Sequence, residues 1–314
     1  MYDTIYFWLD RSEATNLDAI INKLDSVRET TNRNTGETWA VGNLSNLKAT
    51  ISMAGVSIKG SLARFYFPNN SYTLNRHQVK EAVEMLSDSL SLPMNVARIT
   101  RIDVSANFQM KRPTPQYYEV LGGCRYYNRV QATNNTLYYH LKGLDCKRSM
   151  CFYDKVREMQ KSGESLPNVY VGANLLRYES RWCTRLPQQL KEPQVIGESL
   201  YNGAFYRKTI KYWSDNYFSI EKKKRLKQSA MNEIKTVKDA VKYISAFAIG
   251  RLAPDEIQQI LEDMKANKVF EDKKYYSRLN QHLKKLSNNE KLTEADELVK
   301  ELDTEVKSVL AYMR

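Results

Sequence analysis

Two stretches of the 314-residue chain decide its fold: Arg-Ile-Asp-Val-Ser-Ala-Asn at residues 101–107 and Leu-Leu-Arg-Tyr-Glu-Ser-Arg at residues 175–181. In both stretches the charged residues recur with the period of two that is typical of a β-strand. Because successive side chains of a strand point to opposite faces of a sheet, each carboxylate and its flanking arginines share one face. We predict that both strands lie in one sheet with their polar faces aligned.

Other segments predict the rest of an α+β fold. Strands are expected at residues 2–9, 47–53, 56–67, 96–108, 137–141, 149–155 and 174–182, with a hairpin at Ala54-Gly55 and a connection at residues 142–145. Apolar residues at helical spacing predict a helix capped by Asn75 and closed by Pro93. A hairpin, a helix or loop and an Arg-x-acid strand occur twice. This order indicates either an internal duplication or a coincidence of the kind that β-rich domains offer.

The character of the sequence changes toward the C-terminus. Residues 221–314 predict an all-α module, with capping boxes at Thr236 and Thr293 and a basic run at Lys222–Arg225. We therefore expect a catalytic domain at residues 1–215, with halves at about 1–112 and 113–215. A helical domain at 216–314 would bind DNA or a partner.

Composition narrows the class of function. Lys and Arg total 48 and Asp and Glu total 36, so the net charge of +12 favours an anionic partner, nucleic acid first. No apolar run is long enough to span a bilayer, and Asp3 and Asp10 interrupt the N-terminus where a signal peptide would be apolar. We expect a cytoplasmic protein without a membrane partner. With three histidines and no HxH, HExxH or CxxC motif, zinc ribbons and most zinc hydrolases are excluded.

The segment Cys-Phe-Tyr-Asp-Lys at residues 151–155 places Tyr153 and Lys155 on one face of a strand. A neighbouring cation favours the phenolate, and lowering a phenol pKa by about two units corresponds to roughly 2.7 kcal/mol. Asp103 and Glu179 offer oxygen ligands of the kind that Mg²⁺ prefers. The arginines Arg101, Arg177 and Arg181 could grip phosphate oxygens. Taken one at a time, these features are more typical of packing tyrosines and cross-strand ion pairs than of catalysis.

The order of four motifs is more specific than any one of them. Ile-Lys-Gly-Ser-Leu-Ala-Arg at 58–64, Ile-Thr-Arg-Ile-Asp at 99–103, Phe-Tyr-Asp-Lys at 152–155 and Leu-Arg-Tyr-Glu at 176–179 resemble the rolling-circle replication initiators of filamentous phages, the phage/plasmid replication protein II/X type. The resemblance covers roughly residues 1–215. It extends, more distantly, to plasmid replication initiation factors and relaxases.

This resemblance implies antiparallel sheets with helices on the outer face, and nicking of one strand at a double-strand origin. Tyr153 then matches the nucleophile that keeps a 5′-phosphotyrosine and frees a 3′-OH, and Lys155 matches its partner lysine. Asp103 and Glu179 match ligands of Mg²⁺ or Mn²⁺, and His140, on the preceding strand, is a candidate third ligand. Lys59 and Arg64 are candidate DNA contacts, although Arg64 stands where a lysine is expected.

We therefore expect an initiator that acts on an origin exposed as a single strand at the nick, in concert with a host helicase and polymerase. Closing the circle requires a water, another tyrosine or a second copy of the chain, and a homodimer would provide the last. Two alternatives stay open: a relaxase that mobilises an integrative element, and a non-enzymatic protein that only binds the origin.

Overall fold

The computed structural model describes residues 1–14, 16–67, 69, 71–133, 135–143, 147–252 and 254–312. Its strands are β1 (Tyr2–Asp10), β2 (Asp25–Thr31), β3 (Thr38–Leu44), β4 (Leu47–Ser52), β5 (Gly55–Ser61), β6 (Arg98–Met110), β7 (Leu121–Cys124), β8 (Tyr127–Gln131), β9 (Leu137–Leu141), β10 (Arg148–Asp154), β11 (Asn174–Trp182), β12 (Ile220–Lys222), β13 (Lys224–Leu226) and β14 (Thr293–Ala295). Its α-helices are α1 (Leu17–Ile21), α2 (Leu62–Tyr66), α3 (Arg76–Leu90), α4 (Thr114–Tyr118), α5 (Lys155–Lys161), α6 (Leu186–Leu190), α7 (Gly203–Phe218), α8 (Val237–Arg251), α9 (Pro254–Ala266), α10 (Lys273–Ser287) and α11 (Glu297–Tyr312). Short 3-10 helices occupy Asn168–Tyr170, Gly197–Tyr201 and Gln228–Glu233.

Ten of the strands form one antiparallel sheet in the order β2-β3-β4-β5-β1-β6-β11-β10-β9-β8. The two predicted β-rich halves meet where β6 pairs with β11, and Asp103 lies opposite Arg181 in that pair. The predicted α+β class with antiparallel strands is therefore confirmed. Residues 144 and 145 of the predicted connection between β9 and β10 lie outside the described residues. The division into domains at residue 215 stays a prediction.

One face of the sheet is apolar and packs against helices. Ile102, Val104 and Phe108 of β6 are buried. Helix α7 lies over this face, where the Trp213 ring centroid is 6.3 Å from that of Phe108 and 5.1 Å from that of Tyr178. Burying one such apolar side chain contributes roughly 1.5–3 kcal/mol. The same alternation leaves the opposite face of the central strands to charged residues.

Local signals explain several boundaries. The side chains of Asn75 and Gln78 form the reciprocal capping box that starts α3, which confirms the predicted N-cap. The β4–β5 hairpin is confirmed too, and Gly55 is required there because a Cβ would lie 2.2 Å from the Leu9 carbonyl oxygen. The predicted strand over residues 56–67 is too long. It ends at Ser61, whose hydroxyl accepts a hydrogen bond from the Arg64 amide and so begins α2.

The C-terminal region is helical, as predicted, but it contains short strands. Residues Lys222–Arg225 are not helical, because β12 pairs with β7 and β13 pairs with β14, and these long-range pairings override local helix propensity. Thr236 caps α8 as predicted. Thr293 does not cap a helix; it lies in β14, and Asp296 caps α11 by accepting from the Leu298 amide. None of the described helices is both long and apolar enough to cross a bilayer.

Candidate active site

The polar face of the sheet brings the predicted residues of three strands together. Across β6 and β11, Asn107 lies opposite Arg177 and Asp103 lies opposite Arg181. Across β11 and β10, Arg177 lies opposite Tyr153 and Glu179 lies opposite Cys151. The aligned polar faces that the alternation predicted are therefore present, and the centre of the cluster is Glu179.

Glu179 accepts hydrogen bonds from the side chains of three residues. It is 2% exposed. Its Oε1 accepts from Tyr153 Oη at 2.6 Å and from Arg177 Nε at 2.7 Å, and its Oε2 accepts from Arg181 Nη2 at 2.7 Å. Burial by itself would raise the pKa of Glu179, but the positive charges of Arg181 and Arg177 and the Tyr153 hydrogen bond hold it below its usual range. Glu179 is consequently a carboxylate at neutral pH.

Asp103 has a different electrostatic environment. Arg101 grips it with two hydrogen bonds, from Nε to Oδ1 at 2.9 Å and from Nη2 to Oδ2 at 2.6 Å. Arg181 Nε lies 3.8 Å from Asp103 Oδ2, so Arg181 bridges the two buried carboxylates. Burial raises the pKa of Asp103 to about 6, an effect that Arg101 opposes and the charge of Glu179 reinforces. The pKa values of Asp103 and Glu179 are thus pushed in opposite directions, as at many functional sites.

Tyr153 and Lys155 are not placed as the strand pattern predicted. Asp154 caps α5 by accepting from the Arg157 amide, so the strand ends at Asp154 and Lys155 is the first helical residue. Lys155 is fully buried and pairs with Glu158; among the described residues it makes no hydrogen bond to Tyr153. Burial raises the pKa of Tyr153 well above its ordinary value, and the charge of Glu179 adds to this. The Lys155 cation therefore does not set the protonation of the phenol here.

Two residues of the site were missed from the sequence. Asp3 of β1 pairs with Arg177, with Arg177 Nη2 at 2.7 Å from Asp3 Oδ2, and Arg177 is only 1% exposed. Asn107 Oδ1 accepts from Arg177 Nη1 at 3.2 Å. Two features of the sequence could have indicated them. Asp3 is a lone carboxylate within the largely apolar β1, and Asn107 follows Arg101, Asp103 and Ser105 on the same face of β6. Asp3 and Asn107 complete the set of partners that fixes Arg177 beside Glu179.

Of the remaining predicted residues, Lys59 and His140 lie on the polar face of the sheet, and Arg64 lies away from it. Lys59 of β5 lies opposite Tyr6 of β1, and Tyr6 lies opposite Arg101. Lys59 Nζ and the Arg101 guanidinium carbon are 5.3 Å and 5.0 Å from the centre of the Tyr6 ring. Arg64 lies on α2 and pairs with Glu164 at 2.8 Å, outside the cluster. His140 of β9 lies opposite Ser149, and its ring stacks on Tyr138.

Asp103 and Glu179 are the predicted ligands for a divalent cation. Both oxygens of Asp103 accept from Arg101, and both oxygens of Glu179 accept from guanidinium groups. The structure groups no three His, Cys, Asp or Glu side chains closely enough for a metal ion within the ranges it describes. In this arrangement the residues do not fit Mg²⁺ or Mn²⁺, because the carboxylate oxygens are already occupied by guanidinium donors. The expected requirement for a metal stays a prediction.

Tyr153 opens onto a cleft of about 230 Å³. The cleft is lined by Asn135, Thr136, Tyr138, Tyr153, Asp154, Arg157, Glu158, Lys161 and Arg181. Three of these side chains are cations and two are carboxylates. The candidate nucleophile is thus accessible from a basic surface, which suits the approach of a phosphodiester.

Comparison with known proteins adds one finding. The model of a phage family, described as the N-terminal region of a replication-associated protein, matches residues 1–241. That range contains every residue of the cluster and runs past β13 into α8. The comparison with curated proteins gives no match.

Proposed function

We propose that this chain, which belongs to that family of phage replication-associated proteins, nicks one DNA strand at its origin through attack by Tyr153 on the scissile phosphate. Membership of the family confirms the resemblance to filamentous-phage initiators that the four ordered motifs carry. It implies a role in starting rolling-circle replication, and hence DNA as a partner. The chemistry by which the strand is cut is the part that we infer from the site.

The observation that carries the proposal is the 2.6 Å hydrogen bond from Tyr153 Oη to Glu179 Oε1. A nucleophile hydrogen-bonded to a base that a third group orients is the arrangement expected for covalent catalysis. Tyr153 Oη forms a bond to phosphorus while Glu179 accepts the phenol proton. The bond from phosphorus to the 3′ oxygen breaks, and that oxygen takes a proton from water because it leaves on the side of phosphorus opposite Glu179. The products are a 5′-phosphotyrosine and a free 3′-OH.

The two arginines on Glu179 have different roles in this scheme. Arg177 is buried and tied to Asp3, so it holds Glu179 in position. The side chain of Arg181 is 25% exposed and lines the cleft. When a scissile phosphate enters, Arg181 turns one donor from Glu179 to a phosphate oxygen. Glu179 then loses part of the charge that depresses its pKa and becomes a stronger base at the moment when one is needed.

If nicking depends on a divalent cation, the cation would stabilise the negative charge that develops on the phosphate oxygens during attack. The attack and the proton transfer use only the chain's own residues. The 3′-OH left by the reaction is a primer, so the proposal includes, in the cytoplasm, a host polymerase that extends it along the uncut strand and a host helicase that separates the two strands. The phosphotyrosine conserves the energy of the cut bond for later rejoining. A second copy of the chain is one source of the second nucleophile. Tyr139 and Tyr178 are fully buried.

The test is formation of a covalent adduct. Labelled single-stranded oligonucleotides that tile the encoding replicon are incubated with the protein and Mg²⁺ or Mn²⁺, and adducts are sought after boiling in detergent. We expect one oligonucleotide to label the wild type and none to label Tyr153→Phe, which should still bind it. An adduct of equal yield in Tyr153→Phe would remove Tyr153 from the reaction. Specific binding without an adduct would favour the non-enzymatic alternative.

A further inference from the structure

Two stacked aromatic rings lie beside the Tyr153 cleft and have no role in the chemistry above. Tyr138 and His140 are on β9, and their ring centroids are 5.3 Å apart with planes inclined by 19°. Tyr138 lies opposite Cys151 of β10, so it shares the polar face with Glu179. Both rings are partly exposed. Neither side chain makes a hydrogen bond or ion pair with any of the residues described.

Tyr138 is close enough to Tyr153 to serve the same strand of DNA. Because Cys151 is its direct partner, Tyr138 is a diagonal cross-strand neighbour of Tyr153, and such neighbours lie about 7–8 Å apart. Both side chains line the same cleft. A nucleotide next to a phosphate at Tyr153 Oη can therefore bring its base over the Tyr138 ring.

Two cations complete this side of the cleft. Arg157 and Lys161 are four residues apart on α5, so they share one face of the helix, and both line the cleft. Within the described ranges, neither side chain forms a hydrogen bond or an ion pair. By contrast, Arg101, Arg177 and Arg181 are all paired with carboxylates. Arg157 and Lys161 are thus available to phosphate oxygens without giving up an existing partner.

We propose that Tyr138 and His140 form a stacking subsite for the base of a nucleotide beside the scissile phosphate, and that Arg157 and Lys161 hold the adjoining phosphate. An aromatic platform next to a basic groove is how proteins bind single strands, since every base has a face that stacks. The ligand is a nucleotide within a DNA single strand. This inference rests on the proposed function only for the statement that the strand is the one being cut.

Binding is measured by fluorescence anisotropy with a labelled single-stranded oligonucleotide, in a Tyr153→Phe background that prevents nicking. Base stacking contributes about 1–3 kcal/mol, so Tyr138→Leu should weaken binding about 5- to 150-fold. Tyr138→Phe keeps the stacking face and should bind as the parent does. Tyr126→Leu is the matched control, because Tyr126 is also an exposed tyrosine but does not line the Tyr153 cleft, so its loss should leave affinity unchanged. A change of less than twofold in Tyr138→Leu would overturn the stacking role.

A second measurement does not depend on any variant folding well. An oligonucleotide that carries 5-iododeoxyuridine at successive positions is irradiated with the otherwise unaltered protein, and the cross-linked peptide is mapped. We expect the peptide that contains Tyr138 and His140, at one position next to the nick. Cross-links that map only elsewhere contradict the proposal.

Two further measurements test whether the subsite binds DNA rather than free nucleotides and whether Arg157 and Lys161 contact phosphates. A free mononucleotide should not displace the oligonucleotide at a concentration where an unlabelled oligonucleotide does; equal displacement would show a site for free nucleotides and overturn the DNA assignment. In the double variant Arg157→Gln/Lys161→Gln, the slope of the logarithm of the binding constant against the logarithm of the salt concentration should become less negative. The change should be about 0.7 for each phosphate that is no longer neutralised. If Tyr138→Leu weakens binding but no oligonucleotide ever forms an adduct, the proposed function fails and the subsite stands. If adducts form while Tyr138→Leu binds normally, the proposed function stands and the stacking subsite fails.

Discussion

Replacing Glu179 by glutamine tests whether the carboxylate acts as a base or only as a structural partner. The amide has the shape of the carboxylate and can still accept from Arg177 Nε, but it cannot take the proton of Tyr153 Oη. General-base catalysis contributes about 10²–10⁴-fold, so we expect Glu179→Gln to slow single-turnover nicking by that factor. Arg177 keeps its 2.7 Å ion pair with Asp3, but the amide nitrogen faces the two Arg181 donors that Glu179 Oε2 accepts, so the loss of stability should lie within the roughly 3–5 kcal/mol known for breaking buried pairs. Proteins typically have about 5–15 kcal/mol of stability, so the variant should stay folded.

Asp103→Asn is the matched control for this experiment. Asp103 is as buried as Glu179 and is likewise held by arginines, but it does not contact Tyr153. Because the native-state pKa of Glu179 lies below its ordinary value and that of Asp103 lies above it, urea denaturation at neutral pH should show the larger loss of stability in Glu179→Gln. Nicking is therefore compared at equal concentrations of folded protein, where it should still fall far more in Glu179→Gln. Wild-type nicking by Glu179→Gln would refute the role of base. Equal losses of nicking in both variants would favour a site in which the two carboxylates act together on a metal ion.

Three further predictions follow from charged groups. The folded-state pKa of Asp103, about 6, lies above the ordinary value of 3.8, so the native state binds its proton more tightly and stability should fall as pH rises from about 4 to 6. Relative to Asp103→Asn, urea denaturation should show a decline of up to about 3 kcal/mol across that range, and a flat difference would contradict it. Burial lowers the pKa of Lys222 from 10.5 to about 8, so its folded form binds the proton less tightly and stability should rise between pH 8 and 10.5. Relative to Lys222→Met, the stability of the wild type should therefore rise between pH 8 and 10.5 by at most about 3 kcal/mol, because water partly screens the ammonium, and Lys223→Met is the control. Finally, the expected metal requirement predicts that EDTA abolishes adduct formation and that Mg²⁺ or Mn²⁺ restores it; undiminished yield in EDTA would leave charge stabilisation to the arginines.

The central strands could be predicted because their signal is local. A period of two in β6 and β11 places Asp103, Glu179 and their arginines on one face, whatever the neighbouring strands are. The Asn75 cap and the β4–β5 hairpin were equally visible, since a few adjacent residues determine them. The Lys222–Arg225 run was misread for the complementary reason: it pairs with residues 121–124 and 293–295, and no local pattern reveals partners about 70 to 100 positions away.

The electrostatic environment of Tyr153, the proposed nucleophile, could not be predicted from the alternation of side chains along a strand. Lys155, two residues from Tyr153, predicted a lowered phenol pKa. A helix cap at Asp154 removes Lys155 from the strand, and Glu158 takes its ammonium. The group that contacts the phenol is Glu179, 26 positions away in sequence but across one strand pair. A carboxylate there raises the pKa of Tyr153 and at the same time supplies the acceptor for its proton. The electrostatic effect at Tyr153 is therefore opposite to the one that the sequence suggested. In the proposed mechanism, activation accordingly comes from transfer of the proton to Glu179 during attack rather than from a phenolate formed beforehand.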